Sequence, residues 1–387
     1  AQVDRIPIAE HPTPENAASQ NELLVAMVQS ATRTIPGSLK AQWSYIQDAE
    51  SILNQRLSFL PPGEYEGIIR NDALKSELNE WFGDQHVWSA SRLNRYANCP
   101  YGFFAEHILK LKANPDPDDG IDAMQRGSLL HAILERLYQK LAKNQITPNP
   151  ENQVTILHHL DESCNAVFPS APRRYGFRPG ALWEYEQLEL RRLLRALVIW
   201  ECEQNAHQAR FSPYMQEAGF GIASSGLPPL EIDGDSAQFK LRGLIDRIDR
   251  DPAGNLRVID YKSGSTTYSK NDLQKGLALQ TALYALAADH FWTGGGSRVA
   301  ESHYWHIPSR NASGSLKISG AVLDDETAEA SIQQAARSVA QVRSGLFPSA
   351  PGKPVQGSLQ CRGRCDFAAI CRVTRQSITK TKRGDLV

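Results

Sequence analysis

The sequence predicts an α/β fold, a small central sheet surrounded by helices with further helical additions. Three observations carry that expectation. Apolar residues keep helical spacing through much of the first two hundred positions. The period then shortens to that of strands, with "FKLRGLIDRIDR" (239–250) and "LRVIDYK" (256–262) on either side of the turn "DPAGN". Helical spacing returns at 272–291 and 327–345.

Taken in order, residues 1–20 are polar and Pro-bearing ("HPTPENAASQ") and read as a linker or extended arm. Residues 21–60 have helical spacing, which "PPGEYEG" breaks. "SASRLNRYANCPYGFFAEHILKL" opens on a Ser N-cap and continues as helix, interrupted at Cys99–Pro100. "NPDPDDG" (114–120) is a loop, and helices follow at roughly 122–143 and 181–206. "YMQEAGFGI" reads as a strand near 213–222, and "SRVAESHYWHIP" as another. The tail from about 349 turns Pro/Gly-rich, then Cys-rich, then basic, and no internal repeat is present.

A chain of 387 residues can form two or three domains or one large one, and 41% hydrophobic residues with seven Trp supply a sizeable core. The net charge of −1 gives no global signal for a polyanionic partner, although a local basic site can be masked by acidic regions elsewhere. There is no 18-residue apolar run and no secretory signal, so no membrane association and a cytoplasmic location are expected. No initiator Met is present, and residue 1 reads as an internal position of a longer protein or a processed end.

The chemistry concentrates where the second strand ends, at "VIDYKSG". Residues two apart on a strand face the same side, so Asp260 and Lys262 project together and Tyr261 points away. If residues 251–255 form the turn, Arg250 faces Leu256, and counting back sets Asp246 opposite Asp260. Two carboxylates that close repel each other, and desolvation adds to the penalty. A divalent cation relieves this, and oxygen ligands suit Mg²⁺ or Mn²⁺. Lys262 beside it could touch a phosphate oxygen or orient an attacking water, as metal-assisted phosphodiester hydrolysis requires. The plain alternative is a Lys262–Asp salt bridge at a strand end.

Other candidates surround this pair. His131 lies in "RGSLLHAILERL" with Glu135 four residues on, either a metal ligand or a packed helix residue. Arg126 and Gly127 open that helix, and Gly127 permits close backbone approach. Gln280 and Tyr284 stand at i and i+4 in "ALQTALYALA", facing the site or hydrogen-bonded in the interior. Glu217 sits mid-strand, where a carboxylate is costly without a partner. Cys361-x3-Cys365-x5-Cys371 with Cys99 could supply four thiolates to zinc or to an iron–sulfur cluster, whereas Cys164 and Cys202 read as buried thiols.

Taken together, "NCPYGFF", "RGSLLHAILE", "GLIDRID", "VIDYKSG", "LQTALYALA" and "CRGRCDFAAIC" resemble, in order, the PD-(D/E)XK nuclease domains of the RecB/AddB type with an iron–sulfur staple. The resemblance covers about 90 to 371. It implies a restriction-endonuclease-like central mixed sheet flanked by helices, with a helical N-terminal extension. It implies His131, Asp246 and Asp260 as metal ligands, Lys262 as the catalytic lysine, and Gln280 and Tyr284 in the motif that follows. It also implies Cys99, Cys361, Cys365 and Cys371 as ligands of a 4Fe–4S cluster. The family usually spaces its first two tail cysteines by two residues, whereas here the gap is three. The helicase motif GxxxxGK[ST] is absent, and residues 1–85 match no named motif.

The expected division is a linker and helical region at 1–85, a remnant of an upstream helicase-like part, then the nuclease domain at 86–375 and a basic tail at 376–387. The expected function is a Mg²⁺- or Mn²⁺-dependent DNA exonuclease of repair and recombination that acts on single-strand ends and works with a helicase subunit or domain. The competing readings are a non-catalytic DNA-binding module of the same fold and a nuclease of CRISPR spacer acquisition. Phosphate contact requires cations. The tail supplies Arg362, Arg364, Arg372, Arg375, Lys380, Lys382 and Arg383, and "PRRYGFRPG" (172–180) mixes Arg with Tyr and Phe. Either stretch could equally be a solvated surface.

Overall fold

The structure is a computed structural model that describes residues 19–29, 62–112, 120–206, 210–294, 296–317, 326–349 and 365–371, with a few positions between 44 and 58. Residues 1–18 of the arm expected at 1–20, most of the loop at 114–120 and the basic tail residues Arg362, Arg364 and those from Arg372 onward lie outside them, while Gln20 already begins a helix. The helices are α1 (Gln20–Gln29), α2 (Asp72–Phe82), α3 (Ala90–Asn98), α4 (Pro100–Phe103), α5 (Ala123–Lys143), α6 (Gln153–Val167), α7 (Ala171–Tyr175), α8 (Ala181–Gln204), α9 (Lys270–Gln274), α10 (Gln280–Trp292), α11 (Glu326–Arg343) and α12 (Ala368–Cys371). The strands are β1 (Val87–Ser89), β2 (Ser212–Phe220), β3 (Leu230–Asp233), β4 (Gln238–Arg250), β5 (Leu256–Lys262), β6 (Val299–His306) and β7 (Asn311–Lys317).

All seven strands join one mixed sheet. Its spine is β4, whose thirteen residues serve four neighbours. The first half of β4 pairs in parallel with β1 and antiparallel with β3, and the second half lies between antiparallel β2 and β5. From β5 the sheet continues through parallel β6 to antiparallel β7. Helices flank it, and the restriction-endonuclease-like mixed sheet inferred from sequence is the observed architecture.

Two apolar layers enclose the sheet. Ile245, Ile248, Val258 and Tyr304 pack with α2, α3, α10 and α11. Ile259, Tyr261 and Trp305 pack with α5, α6 and α8. Alternate residues of β5 therefore enter opposite layers, which is why its sequence is an almost unbroken apolar run. The helices start where their caps direct. Asp122 accepts from the Gln125 N–H while the Gln125 side chain accepts from the Asp122 N–H, a capping box that opens α5. Ser89 caps α3, and Cys99 caps α4 with Pro100 in its first turn.

Several elements depart from the sequence reading. The single helix expected at 272–291 is two, α9 and α10. Gly276 ends the first at φ +72°, the left-handed cap that glycine supplies, and a Cβ there would sit 2.6 Å from Gln334 Cγ. Helices α2 and α6 and strands β1, β3 and β7 carried weak signals of their own. In α6 the buried face is marked by Ile156, Leu160 and Cys164 with the polar Ser163 among them.

A buried ionic network ties α8 to the sheet. The Arg247 guanidinium is fully buried and donates to Glu201 Oε1 at 2.6 Å and to Asp249 Oδ1 and Oδ2 at 2.5 and 2.9 Å. It also donates to the Tyr261 hydroxyl at 3.2 Å and lies 3.8 Å from the centre of the Tyr138 ring. Tyr138 in turn donates to Glu201, and Arg257 donates to Asp249 at 2.6 Å. Burial opposes charging Arg247, but Asp249 and Glu201 more than offset it and hold its pKa above the ordinary value.

A second tie closes the chain on itself. Ile69 N–H donates to Gly345 O at 2.9 Å and Phe347 N–H to Gly67 O at 2.7 Å. The Tyr96 hydroxyl donates to Leu346 O at 2.6 Å, and Tyr101 N–H to Pro348 O at 3.2 Å. Residues 345–348 thus lie between segments from near residues 68 and 100.

The ionic network makes a stability prediction. Glu201→Ala leaves Arg247 short of one buried counter-charge and is expected to destabilise the fold by about 3–5 kcal/mol, read as a lowered denaturation midpoint. A change below about 1 kcal/mol would show that Asp249 alone suffices.

Candidate active site

The register expected between the central strands is observed, Arg250 opposite Leu256 and then in step to Arg247 opposite Ile259. Beyond that pair the ladder gives way to a side chain, and Asp246 Oδ2 accepts from the Tyr261 N–H at 2.7 Å. This bond fixes Asp246 against the end of β5, next to Asp260. Asp260 is buried, 3% exposed. Burial pushes its carboxyl up to about 6, with Asp246 adding repulsion and Lys262 opposing.

Glu217 joins them from the other side of β4. Gln216 faces Arg247 and Ala218 faces Ile245, which puts Glu217 opposite Asp246. Its φ of +48° is in the left-handed region, a strained choice for a side chain in mid-strand. His131 reaches the same point from α5, its Nδ1 3.3 Å from Asp246 Oδ1. One donor atom each from His131, Glu217 and Asp246 lies within 4.8 Å of the other two. Burial pushes the Glu217 carboxyl up to about 7, with repulsion from Asp246 and Glu135 adding to it. Burial disfavours His131 charging, but the bond to Asp246 and the surrounding carboxylates outweigh it and raise its pKa. Glu217, the weakest candidate in the sequence, is thus central to the cluster. The one sign of it there was a carboxylate on an otherwise half-buried strand.

Lys262 Nζ stands 2.6 Å from Asp260 Oδ2 and donates to Gln280 Oε1 at 2.6 Å. The contact with Asp260 is a close ion pair, and no other donor among the described residues reaches this buried oxygen. The ammonium also lies 4.7 Å from the centre of the Tyr304 ring, whose hydroxyl accepts from the Gln280 N–H at 3.0 Å. Tyr284 is buried in the wall behind, and a Cβ on Gly243 would sit 2.7 Å from its ring. Ser263 packs on α5, where a Cβ on Gly127 would lie 3.3 Å from Ser263 Oγ, the close approach that glycine allows. Arg126 turns instead to Glu186 on α8, 2.7 Å away. Tyr304 and His306 escaped the sequence reading. They lie opposite Asp260 and Lys262, and His306 Nδ1 stands 3.3 Å from the Gly264 carbonyl, bracing the turn.

Cys99, Cys365 and Cys371 gather elsewhere, around Tyr101. The Tyr101 pKa is raised first by burial and then by the thiols of Cys371, Cys99 and Cys365. Cys99 Sγ accepts from the Gly102 N–H at 3.3 Å, and a cavity of about 300 Å³ opens beside Cys371, Tyr101 and Phe347. Cys361 lies outside the described residues. Cys164 and Cys202 are buried in α6 and α8, as expected.

The profile of the PD-(D/E)XK nuclease superfamily matches residues 87–372. The chain belongs to that superfamily. Among curated proteins, it is similar to a subunit of the ATP-dependent helicase/deoxyribonuclease of Symbiobacterium thermophilum, 30% identical over 53% of this chain and 18% of that protein. The same-named protein of Lysinibacillus sphaericus is 27% identical over 66% of this chain and 22% of its own length. That of Caldanaerobacter subterraneus subsp. tengcongensis is 26% identical over 57% and 19%. The chain spans about a fifth of the length of these relatives.

The donor set of this nuclease domain fits a divalent cation. Two carboxylates and one imidazole converge with the buried Asp260 beside them, Glu217 and Asp260 are held above their ordinary pKa, and Asp260 Oδ2 has a spare lone pair. No helix among the described residues is long and apolar enough to cross a membrane.

The repulsion in the cluster has a pH signature. Glu217 ionises near 4.5 when unfolded and about 7 when folded, so the metal-free fold loses stability as pH rises through that window. Glu217→Gln removes this loss. In EDTA the variant should melt higher than the wild type above pH about 7 and equally below about 4.5. Equal melting temperatures at both ends would remove Glu217 from the repulsive cluster.

Proposed function

We propose that this chain is the nuclease part of a Mg²⁺- or Mn²⁺-dependent deoxyribonuclease that hydrolyses phosphodiester bonds at DNA ends. The observation that carries this reading is the convergence of His131, Glu217 and Asp246 next to a buried Asp260 that faces Lys262. His131, Asp246 and Asp260 would hold the metal, with Glu217 beside them. When bound, the ion supplies charge neutralisation and polarises a phosphoryl oxygen. Gln280 holds the Lys262 ammonium at the rim of the site, where it meets the scissile phosphate and stabilises the charge that develops on it. Asp260 pairs with Lys262, and Tyr304 fixes Gln280 from behind.

The names of the relatives support a DNA substrate and a helicase partner, as a separate polypeptide or as another part of a longer protein. We assign the nuclease to 86–375, with exonucleolytic action on single-strand ends in repair and recombination, in the cytoplasm. Cys99, Cys361, Cys365 and Cys371 form the candidate set for a 4Fe–4S cluster that would join α4 to the tail. The three described members share the surroundings of Tyr101, which supports that set.

Two measurements test the reading. End-labelled single- and double-stranded DNA should be cut with Mg²⁺ or Mn²⁺ and not in EDTA. Lys262→Ala is expected to lower the rate by about 10²–10³-fold or more without loss of fold. Cutting at the wild-type rate by Lys262→Ala sinks the assignment. DNA binding with no cutting under any condition would favour a scaffold module instead. For the cysteines, Cys371→Ser in the full chain should lose bound iron and thermal stability together, and full iron content would exclude Cys371 as a ligand.

A further inference from the structure

Of the two arginine-rich stretches in the sequence reading, the one at 172–180 lies among the described residues, and the catalytic cluster leaves it unused. It folds as α7 followed by a turn at Gly176, whose φ is +75°. It is anchored at two levels. The Phe177 ring packs edge-on against Trp183 of α8, 4.8 Å between centres. The Tyr175 carbonyl accepts from Gln125 Nε2 at 2.9 Å, and the Tyr175 hydroxyl donates to the Ser128 carbonyl at 3.4 Å.

Those anchors fix where the segment sits. Gln125 and Ser128 lie in the first turns of α5, and Ser128 is three residues, about 4.5 Å of helix rise, before His131. Gly127 in the same stretch packs against Ser263, next to Lys262. The start of α5 therefore has the catalytic turn against one part of its surface and segment 171–180 against another.

The charges on this segment are unusual for the region. Arg126, Arg191, Arg192 and Arg195 all reach carboxylates, at 2.7, 3.5, 2.8 and 2.8 Å. Arg173, Arg174 and Arg178 are exposed and have no acidic partner among the described residues. Three uncompensated guanidiniums within six residues, on an anchored turn near a phosphodiester site, form a surface for a polyanion. Arg174 lies 5.6 Å from the centre of the half-buried Tyr175 ring, so the patch combines cation with aromatic face.

We propose that segment 171–180 is a strand guide. Arg173, Arg174 and Arg178 hold backbone phosphates of a single-stranded DNA end and lead it along the start of α5 to His131 and Asp246. This rests on the nuclease reading above. Because the contacts are to phosphates, the guide adds affinity without base preference.

The test uses the full chain in EDTA and a fluorescein-labelled single-stranded oligodeoxynucleotide, with anisotropy read across a salt series. The combined Arg173→Ala, Arg174→Ala and Arg178→Ala variant should bind on the order of tenfold or more weakly at low salt. Its slope of log affinity against log salt should shrink by about 2, the share of three single-strand phosphate contacts. The combined Arg→Lys variant should keep most of the slope. Arg337→Ala, on α11 in the opposite layer, is the charge control and should bind as wild type. Affinity and slope unchanged in the triple alanine variant would overturn the proposal. So would a loss of binding matched by the lysine variant, which would point to a folding defect. Cleavage separates the two readings. If Asp260→Ala still cuts, the nuclease assignment falls whatever the loop does. If Asp260→Ala is dead while the triple variant binds and cuts normally, only the guide falls.

Discussion

Arg247 sets the position of the site. Along β4 it is the residue after Asp246, so what holds one holds the backbone of the other. Arg247 is held by Glu201, Asp249 and Tyr261, and Asp246 beside it can take only a narrow range of positions. The network also fixes α8 through Glu201 and, through Tyr138, the helix that carries His131. A wholly buried guanidinium is tolerable only with such complete partnering, and complete partnering is what gives it one geometry. The neighbouring site carboxylates inherit that rigidity.

The site itself is poor at holding itself together. Asp246, Asp260 and Glu217 repel one another, and Glu217 takes a backbone conformation that strands avoid. Such arrangements persist only where the surrounding fold over-determines them. Here β4 does so, paired with four other strands, with Gln280 of α10 and Tyr304 of the neighbouring strand bracing Lys262. A cation held there would offset the carboxylate repulsion, so the geometry that costs stability without metal would favour the metal-bound state.

How much of this was legible depended on sequence distance. The β4–β5 register was readable because a five-residue turn leaves little freedom and alternation then fixes which side chains meet. His131 was readable as a helix residue with a carboxylate one turn away, but its partner Asp246 lies over a hundred residues on and needed the resemblance. Tyr304 and His306 were not readable at all. They face Asp260 and Lys262 across a parallel pair, and no local rule sets the register of strands joined by a crossover through two helices. The break between α9 and α10 hid in an apolar run, because Leu277, Ala278 and Leu279 are as buried as any helix face. Strand β7, "NASGSLK", exists through its ladder with β6 and not through β propensity.

Residues 345–348 are sewn between Gly67–Ile69 and the region of Tyr96 and Tyr101. These contacts span some of the longest sequence separations in the fold. A chain made from its N-terminus cannot form them until nearly all of the described domain has been synthesised. Helices α2 to α4 therefore wait, with Phe103 and Phe104 lacking their Phe347 partner, through most of translation. The order of synthesis makes this seam the last part of the domain to close.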